Sequence, residues 1–388
     1  MAIPFKVNLR GLFVRKVSTV TTVVCLALVV AVFSAMMALA NGLEYTLRST
    51  GDPLNVIAMR DGATSEMNSF VSIDQYQVLK TIPGVAAAAD GKPAVAGEVV
   101  IVINKNKRGS EEGANVVIRG VTPAAFVNHP EVKIVEGRTF QPGQAELIAS
   151  RSIAKKFDHC GLGETLSLKK RDLKIVGIFE AGSTAHGSEI WGDEIVIRDL
   201  FNRPGYSVAL LRAQDASAVG TIQTAVKNDQ RLKLSAISEK EYFAQQTRQA
   251  EPIRIVGQFL ALILAIGAAF AAANTMYAAV SSRGREIATL RALGFSRGSI
   301  LMAYLGEALV LGLLGGVVGI AVAYLAVNGV TTGTANWVTF SELSFAFRVT
   351  PVLVAIAITF ASVIGALGGL LPARLAARAP ITQGLRQL

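Results

Sequence analysis

The sequence predicts an α-helical membrane protein with four transmembrane helices and a large extracytoplasmic α+β domain inserted between helices 1 and 2. Three observations carry that expectation. Residues 17–43, 255–282 and 349–373 hold no charged side chain, and 300–328 hold only Glu307; each run exceeds the ~20 residues that cross a bilayer core. The intervening stretch, 44–254, has ordinary soluble composition, with 26 basic and 25 acidic residues. The net charge of +10 instead collects in three short segments holding Lys6, Arg10, Arg15, Lys16, then Arg283, Arg285, Arg291, Arg297, then Arg374, Arg378, Arg386, with Glu286 as the single acid. Basic residues at membrane edges mark the cytoplasmic side. No basic patch dominates the soluble part, so the high net charge does not point to nucleic acid.

In chain order, 1–16 is a cytoplasmic N-terminal segment. Residues 17–43 form transmembrane helix 1, because an apolar run of this length outlasts the roughly 7–15 residues of a cleavable signal. Residues 44–252 are extracytoplasmic. Within them, 55–59, 95–103, 116–120 and 174–179 read as Val/Ile-rich strands. Ser72 is placed to cap a helix over 73–81 that Pro83 and Gly84 stop. A strand followed by a helix is expected over 146–157, and an amphipathic helix over 216–229. The polar, helix-forming stretch 239–251 feeds transmembrane helix 2, 253–282, as a stalk. Residues 283–297 are a cytoplasmic helix, 298–328 transmembrane helix 3, 329–348 an extracytoplasmic loop, 349–372 transmembrane helix 4 and 373–388 a cytoplasmic tail. Gly312, Gly315, Gly316, Gly319, Gly365 and Gly369 recur at spacings of four, which lets helices approach closely where lipid supplies no hydrophobic drive.

Chemistry-bearing motifs are scarce. No phosphate-binding loop occurs, since the one Gly-Lys pair, Gly91-Lys92, runs into Pro93. His129, His159 and His186 lie far apart in sequence with no acid at metal-ligand spacing, so no metal site is expected. Ser183 and His186 share a Gly/Ser-rich loop without a nucleophile elbow. Cys25 and Cys160 sit on opposite predicted sides of one membrane boundary and form no bridge, and Cys160 is expected buried as a small hydrophobe. No catalytic residue is assigned, and the chain is not expected to be an enzyme by itself or to bind a cofactor. Glu307 is the one acid within a span; such a charge faces other helices or pairs, and lacking a second intramembrane acid or histidine it is read as structural rather than part of an ion path.

The segment 283–297 joins two spans. At 100° per residue Ile287, Leu290 and Leu293 share one arc, while Arg285 and Arg291 point elsewhere. Gly294 is placed to stop the helix, and Ser296 to cap the next one. Two readings stay open on physical grounds: an interfacial helix resting in lipid headgroups, or a docking helix for a cytoplasmic partner.

Arg285-Glu-Ile-Ala-Thr-Leu-Arg-Ala-Leu-Gly-Phe295, followed by Glu307 and a Gly-rich third span, resembles the MacB/FtsX-like ABC transporter permeases. So do Pro372-Ala-Arg-Leu-Ala-Ala-Arg378, Gly137-Arg-Thr-Phe140 and Lys174-Ile-Val-Gly-Ile178. The resemblance spans nearly the whole chain and is most specific in its C-terminal third. It implies a type VII, mechanotransmission permease of a bacterial inner membrane, with both termini cytoplasmic. It further implies two permease subunits, expected as a homodimer, and two copies of a separate ABC ATPase that carry ATP and Mg. Arg285, Glu286, Ile287, Leu290, Arg291, Leu293 and Gly294 would form the coupling helix that the ATPase contacts. An adaptor (membrane fusion) protein and an outer-membrane channel are further partners the resemblance allows, and membrane lipid is a third. Three functions follow: an export permease; a transmembrane signalling protein that regulates an extracytoplasmic hydrolase; and an anchored binding protein with no ATPase.

Overall fold

In a computed structural model, residues 16–169, 171–335 and 342–380 are described. The basic residues at 6, 10, 15 and 386 therefore lie outside the described residues. Two compact units emerge, one built from 1–42, 250–330 and 347–388, the other from 43–249 and 331–346.

The first unit is a bundle of long helices. Lys16–Thr50, Ala250–Ser282, Arg297–Val327 and Pro351–Arg378 are each long and apolar enough to cross a membrane. Their outward surfaces are apolar: Phe270 is 73% exposed, Leu325 85% and Val352 67%. Water would penalise so large an apolar surface, whereas hydrocarbon accepts it and requires only that backbone groups be satisfied within each helix.

The glycines set the helix spacing. A Cβ on Gly312 would stand 2.7 Å from the Ala361 carbonyl oxygen, and one on Gly365 2.7 Å from that of Ala308. Gly316 meets Ala361 and Ile358, and Gly369 meets Ala308, so these four seat the third long helix backbone-to-backbone on the fourth. Gly315 and Gly319 face Leu26, Ala27 and Val30, and so seat the same helix on the first. These contacts lie within one chain. At its ends, Ser296 Oγ accepts from Ser299 N to start the third long helix, and Thr350 Oγ1 accepts from Leu353 N, with Pro351 at the first helical position of the fourth.

The second unit is built on a ten-stranded mixed sheet. Its strands are β1 (Asn55–Arg60), β2 (Val95–Asn106), β3 (Gly113–Val121), β4 (Lys133–Gly137), β5 (Glu146–Ser150), β6 (Thr165–Leu168), β7 (Arg171–Glu180), β8 (Glu189–Asp193), β9 (Val208–Arg212) and β10 (Leu234–Ser238). They run in the order β10-β1-β9-β2-β3-β8-β5-β7-β4, with β6 also on β7. The pairs β3·β8 and β5·β7 are parallel and the rest antiparallel. Val99, Ile118, Leu147, Ile175, Ile190 and Leu211 are among the side chains buried on it.

Local signals place several elements as the sequence predicts. The 73–79 helix starts on a capping box: Ser72 Oγ accepts from Gln75 N at 3.1 Å, and Gln75 Oε1 accepts from Ser72 N at 2.8 Å. Asp215 caps Ala216–Asn228, Cys160 is fully buried, and Glu239–Gln246 continues through a 3₁₀ turn, Thr247–Gln249, into Ala250–Ser282.

One expectation gives way. The stretch 329–348 is not a plain loop: β11 (Thr331–Ala335) and β12 (Glu342–Ala346) pair antiparallel. They belong to the second unit, where Ser344 N donates to Ser188 Oγ at 2.8 Å and Lys156 Nζ to Ser344 Oγ at 2.7 Å. The alternating Leu343 and Phe345 are buried and their neighbours half-exposed, the period-two pattern of a strand covered on one face.

The glycine seating can be checked directly. Gly312→Ala should cost about 1–3 kcal/mol through overpacking and lower the thermal midpoint of the detergent-purified chain. Gly267→Ala, where an added Cβ meets nothing within 4 Å, should leave the midpoint unchanged.

Candidate functional site

The segment between the second and third long helices folds as a separate helix, Gly284–Ala292. Its C-terminus is closed by two hydrogen bonds, Phe295 N to Leu290 O and Gly294 N to Arg291 O, both at 3.1 Å. Gly294 sits at φ +89°, the left-handed position such an ending requires. One side of the helix is anchored: Ile287 is 2% exposed and joins a buried cluster with Met276, Val280, Ile300, Tyr304 and Ala376.

Two placements read from the helical wheel differ in the structure. Arg291 does not point away, because its Nη1 donates to the Ala377 carbonyl at 3.2 Å. That carbonyl lies in the last turn of the fourth long helix, where carbonyls lack intrahelical donors and a cation is favoured. Nor do Ile287, Leu290 and Leu293 form one covered face: Ile287 is buried, Leu290 half-buried and Leu293 68% exposed. Arg285, Glu286, Thr289 and Leu293 make the outward face.

Glu307 is buried at 4% exposure, and Arg283 answers it, with Nη1 3.8 Å from Glu307 Oε2. Arg283 Nε also lies 3.7 Å from Glu286 Oε2. The charge at Glu307 is therefore compensated from the segment that joins the second and third long helices. That pairing is invisible to a search for acids and histidines within the spans.

A second concentration of charge sits inside the sheet domain. Arg119 on β3 is 2% exposed and forks onto Glu189 of β8 through Nε and Nη2, both at 2.8 Å. Its Nη1 also reaches Glu98 Oε2 at 2.7 Å and Glu66 Oε1 at 3.0 Å. Glu98 Oε1 lies 2.9 Å from His129 Nε2. Burial alone would push the Glu98 carboxyl up, but His129 and Arg119 outweigh it and hold it at about 2. Burial acts on Glu189 in the same way and Arg119 overrides it, leaving that carboxyl lowered.

Histidines far apart in sequence come together in the fold. His129 and His186 stack edge to face with ring centroids 4.4 Å apart, and His129, His186 and Glu239 bring ligand atoms within 4.8 Å of one another. His186 lies in the 3₁₀ turn Ala185–Ser188, buried, rather than in an open serine loop. His159 is exposed and has no part in this group. Only the fold joins residues spread from 66 to 239, so no local motif reveals the cluster.

Residues 19–229 match the family model of the MacB-like periplasmic core domain, and residues 258–381 that of the FtsX-like permease C-terminal region. The uncharacterized ABC transporter permease YknZ of Bacillus subtilis is 27% identical over 293 residues, covering 71% of each chain. The pyoverdine export ATP-binding/permease protein PvdT of Pseudomonas entomophila is 23% identical, covering 95% of this chain and 57% of that protein. The macrolide export ATP-binding/permease protein MacB of Brucella melitensis is 25% identical, covering 96% and 58%. The chain thus spans under three fifths of the two ATP-binding/permease relatives. The periplasmic region of MacB from Actinobacillus actinomycetemcomitans superposes with a TM-score of 0.39 at 12% identity, covering 52% of this chain and 95% of that one.

Replacing Arg119 by Met strands three buried carboxylates, and breaking such a pair costs about 3–5 kcal/mol. Arg108→Met, which removes a half-exposed pair with Glu164, should cost less than about 1 kcal/mol. Denaturant titration followed by tryptophan fluorescence separates the two, since Trp191 Nε1 donates to Glu189 in the same network.

Proposed function

The chain belongs to the MacB/FtsX family of ABC transporter permeases, and from that premise we propose that it is the membrane subunit of an exporter driven by an ABC ATPase. The 388 residues contain no phosphate-binding loop, so ATP and Mg are held by an ATPase outside them, in two copies, one for each of two permease chains in a homodimer. Both termini and the 284–292 helix face the cytoplasm, and the sheet domain faces outward, following the distribution of basic residues. The chain performs no catalysis of its own. A substrate is extruded or extracted on the outer side by mechanotransmission, with an adaptor and an outer-membrane channel completing the path in a two-membrane cell.

The observation that carries this reading is the seating of the Gly284–Ala292 helix. Ile287 and Arg291 lock it onto the third and fourth long helices, while Arg285, Glu286, Thr289 and Leu293 are presented outward. A force applied to that face moves the helix and its supports together, because a packed interior transmits strain instead of absorbing it. The helical run from Glu239 to Ser282 offers a covalent route for that motion. The 68% exposure of Leu293, on the same outward face as basic Arg285, favours a protein groove over bulk cytoplasm as its surroundings. The export assignments of the PvdT and MacB relatives favour transport over the second reading, a signalling subunit that regulates an extracytoplasmic hydrolase.

Combining Arg285→Glu with Leu293→Asp should reduce recovery of the co-expressed ATPase on a tagged permease at least tenfold while leaving the permease thermal midpoint unchanged. Ile287→Ala should instead lower the midpoint, at a cost of about 2–5 kcal/mol for a truncated core side chain. Undiminished ATPase recovery with the double variant would defeat the docking assignment. In reconstituted membranes, ATP hydrolysis stimulated by small amphiphiles or lipidated peptides supports export; stimulation solely by an extracytoplasmic protein supports signalling.

A further inference from the structure

The sheet domain buries more negative than positive charge. Glu66, Glu98, Glu131, Glu189 and Glu239 face Arg119 and the two imidazoles of His129 and His186. With all five carboxylates ionised, the group carries four uncompensated negative charges when the imidazoles are neutral and two when both are protonated. Buried charge of that kind is costly unless a counter-ion answers it.

Two of the carboxylates meet the imidazoles in one place. His129, His186 and Glu239 bring ligand atoms within 4.8 Å of one another there, and Glu131 approaches the two imidazoles from the rim. Glu131 Oε1 is 3.0 Å from His186 Nδ1 and 3.4 Å from His129 Nδ1, and Glu239 Oε1 is 4.0 Å from His129 Nδ1. Ligands about 2.0–2.1 Å from a tetrahedral ion stand about 3.3 Å apart, so the ligand atoms of His129, His186 and Glu239, all within 4.8 Å, close on an ion by moving up to about 1.5 Å. The surrounding bonds are those a metal site uses to aim its ligands. His129 Nε2 hydrogen-bonds Glu98 at 2.9 Å, which leaves Nδ1 to offer its lone pair. Glu239 Oε2 accepts from Asn55 Nδ2 at 2.8 Å and from Asp52 N at 3.0 Å, which turns Oε1 inward. Both histidines and Glu239 are buried, while the Glu131 side chain keeps 25% exposure and offers the way in.

We propose that His129, His186 and Glu239, with Glu131 drawn in from the rim as the fourth ligand, bind a divalent first-row transition metal, zinc above all, in a four-coordinate site. Two imidazoles with two carboxylates suit zinc and cobalt and exclude the soft-thiolate metals. With four protein ligands and no open position, the site is structural. It ties the turn after the Ala125–Asn128 helix, the 3₁₀ turn at Ala185–Ser188 and the first residue of the Glu239–Gln246 helix to one point.

The test uses the full-length chain in detergent, purified through a tag without histidines and without chelator. Elemental analysis should find about one zinc per chain. Glu131→Gln and His129→Ala should each lower retention at least tenfold, and His159→Ala should leave it unchanged. After stripping, wild-type protein given Co²⁺ should show the visible absorption of a tetrahedral site, and Zn²⁺ should raise its thermal midpoint, as any ligand of the native state does. This cobalt and melting readout needs no variant to fold. Absence of both signals in the wild type overturns the proposal, as does loss of zinc from His159→Ala equal to that from Glu131→Gln.

Discussion

The close approach of the third and fourth long helices at Gly312, Gly316, Gly365 and Gly369 is the constraint on which the rest of the membrane unit depends. In lipid, apolar side chains gain nothing by leaving their solvent for one another, so association rests on packing and on the backbone proximity that small residues permit. Here a single methyl group at any of the four positions would stand under 3 Å from the facing helix. Gly315 and Gly319 extend the same logic to the first helix. The consequence is local and specific. The paired ends of the third and fourth helices become a fixed seat, with Ile300, Tyr304, Ala373 and Ala376 receiving Ile287, and Ala377 receiving Arg291.

That seat divides the labour within one short helix. Two residues that a helical wheel groups together do different things, since Ile287 holds and Leu293 is presented, and Arg291 donates to the Ala377 carbonyl although its charge suggests a docking contact. Arg283 adds a further tie, reaching the one acid within a span, Glu307, from the junction itself. The proposed export reading and its signalling alternative share this seat, since each invokes a push on the short helix that moves a rigid bundle, and they differ in the partner assigned to the other side.

Much of this was legible in the residues. Long runs with at most one charge announced the four helices because bilayer thickness imposes length and composition directly. Ser72, Gly294 and Ser296 were readable because caps act within four residues of themselves, and their hydrogen bonds fall where the spacing places them. The sheet order was not readable: β1 lies between β9 and β10, more than 150 residues downstream, and pairing over such separations leaves no local mark. The pairing of Thr331–Ala335 with Glu342–Ala346 escaped because two five-residue strands resemble a loop until a partner surface is known. The histidine–carboxylate cluster escaped for the same reason in stronger form. Its members have no common spacing, and Arg119 looks like any strand arginine until three buried acids are found around it.

The most direct test of the central claim is site-specific photo-crosslinking in membranes that contain the ATPase. A photoreactive side chain at position 289, on the outward face of the short helix, should give an adduct with the ATPase whose yield changes with bound nucleotide. The same group at position 302, where Met302 is 65% exposed on the apolar third helix, should give lipid adducts. An ATPase adduct at 289 with none at 302 is the expected result. Lipid adducts alone at 289 would contradict it, leaving the helix as an interfacial element with no partner to push it.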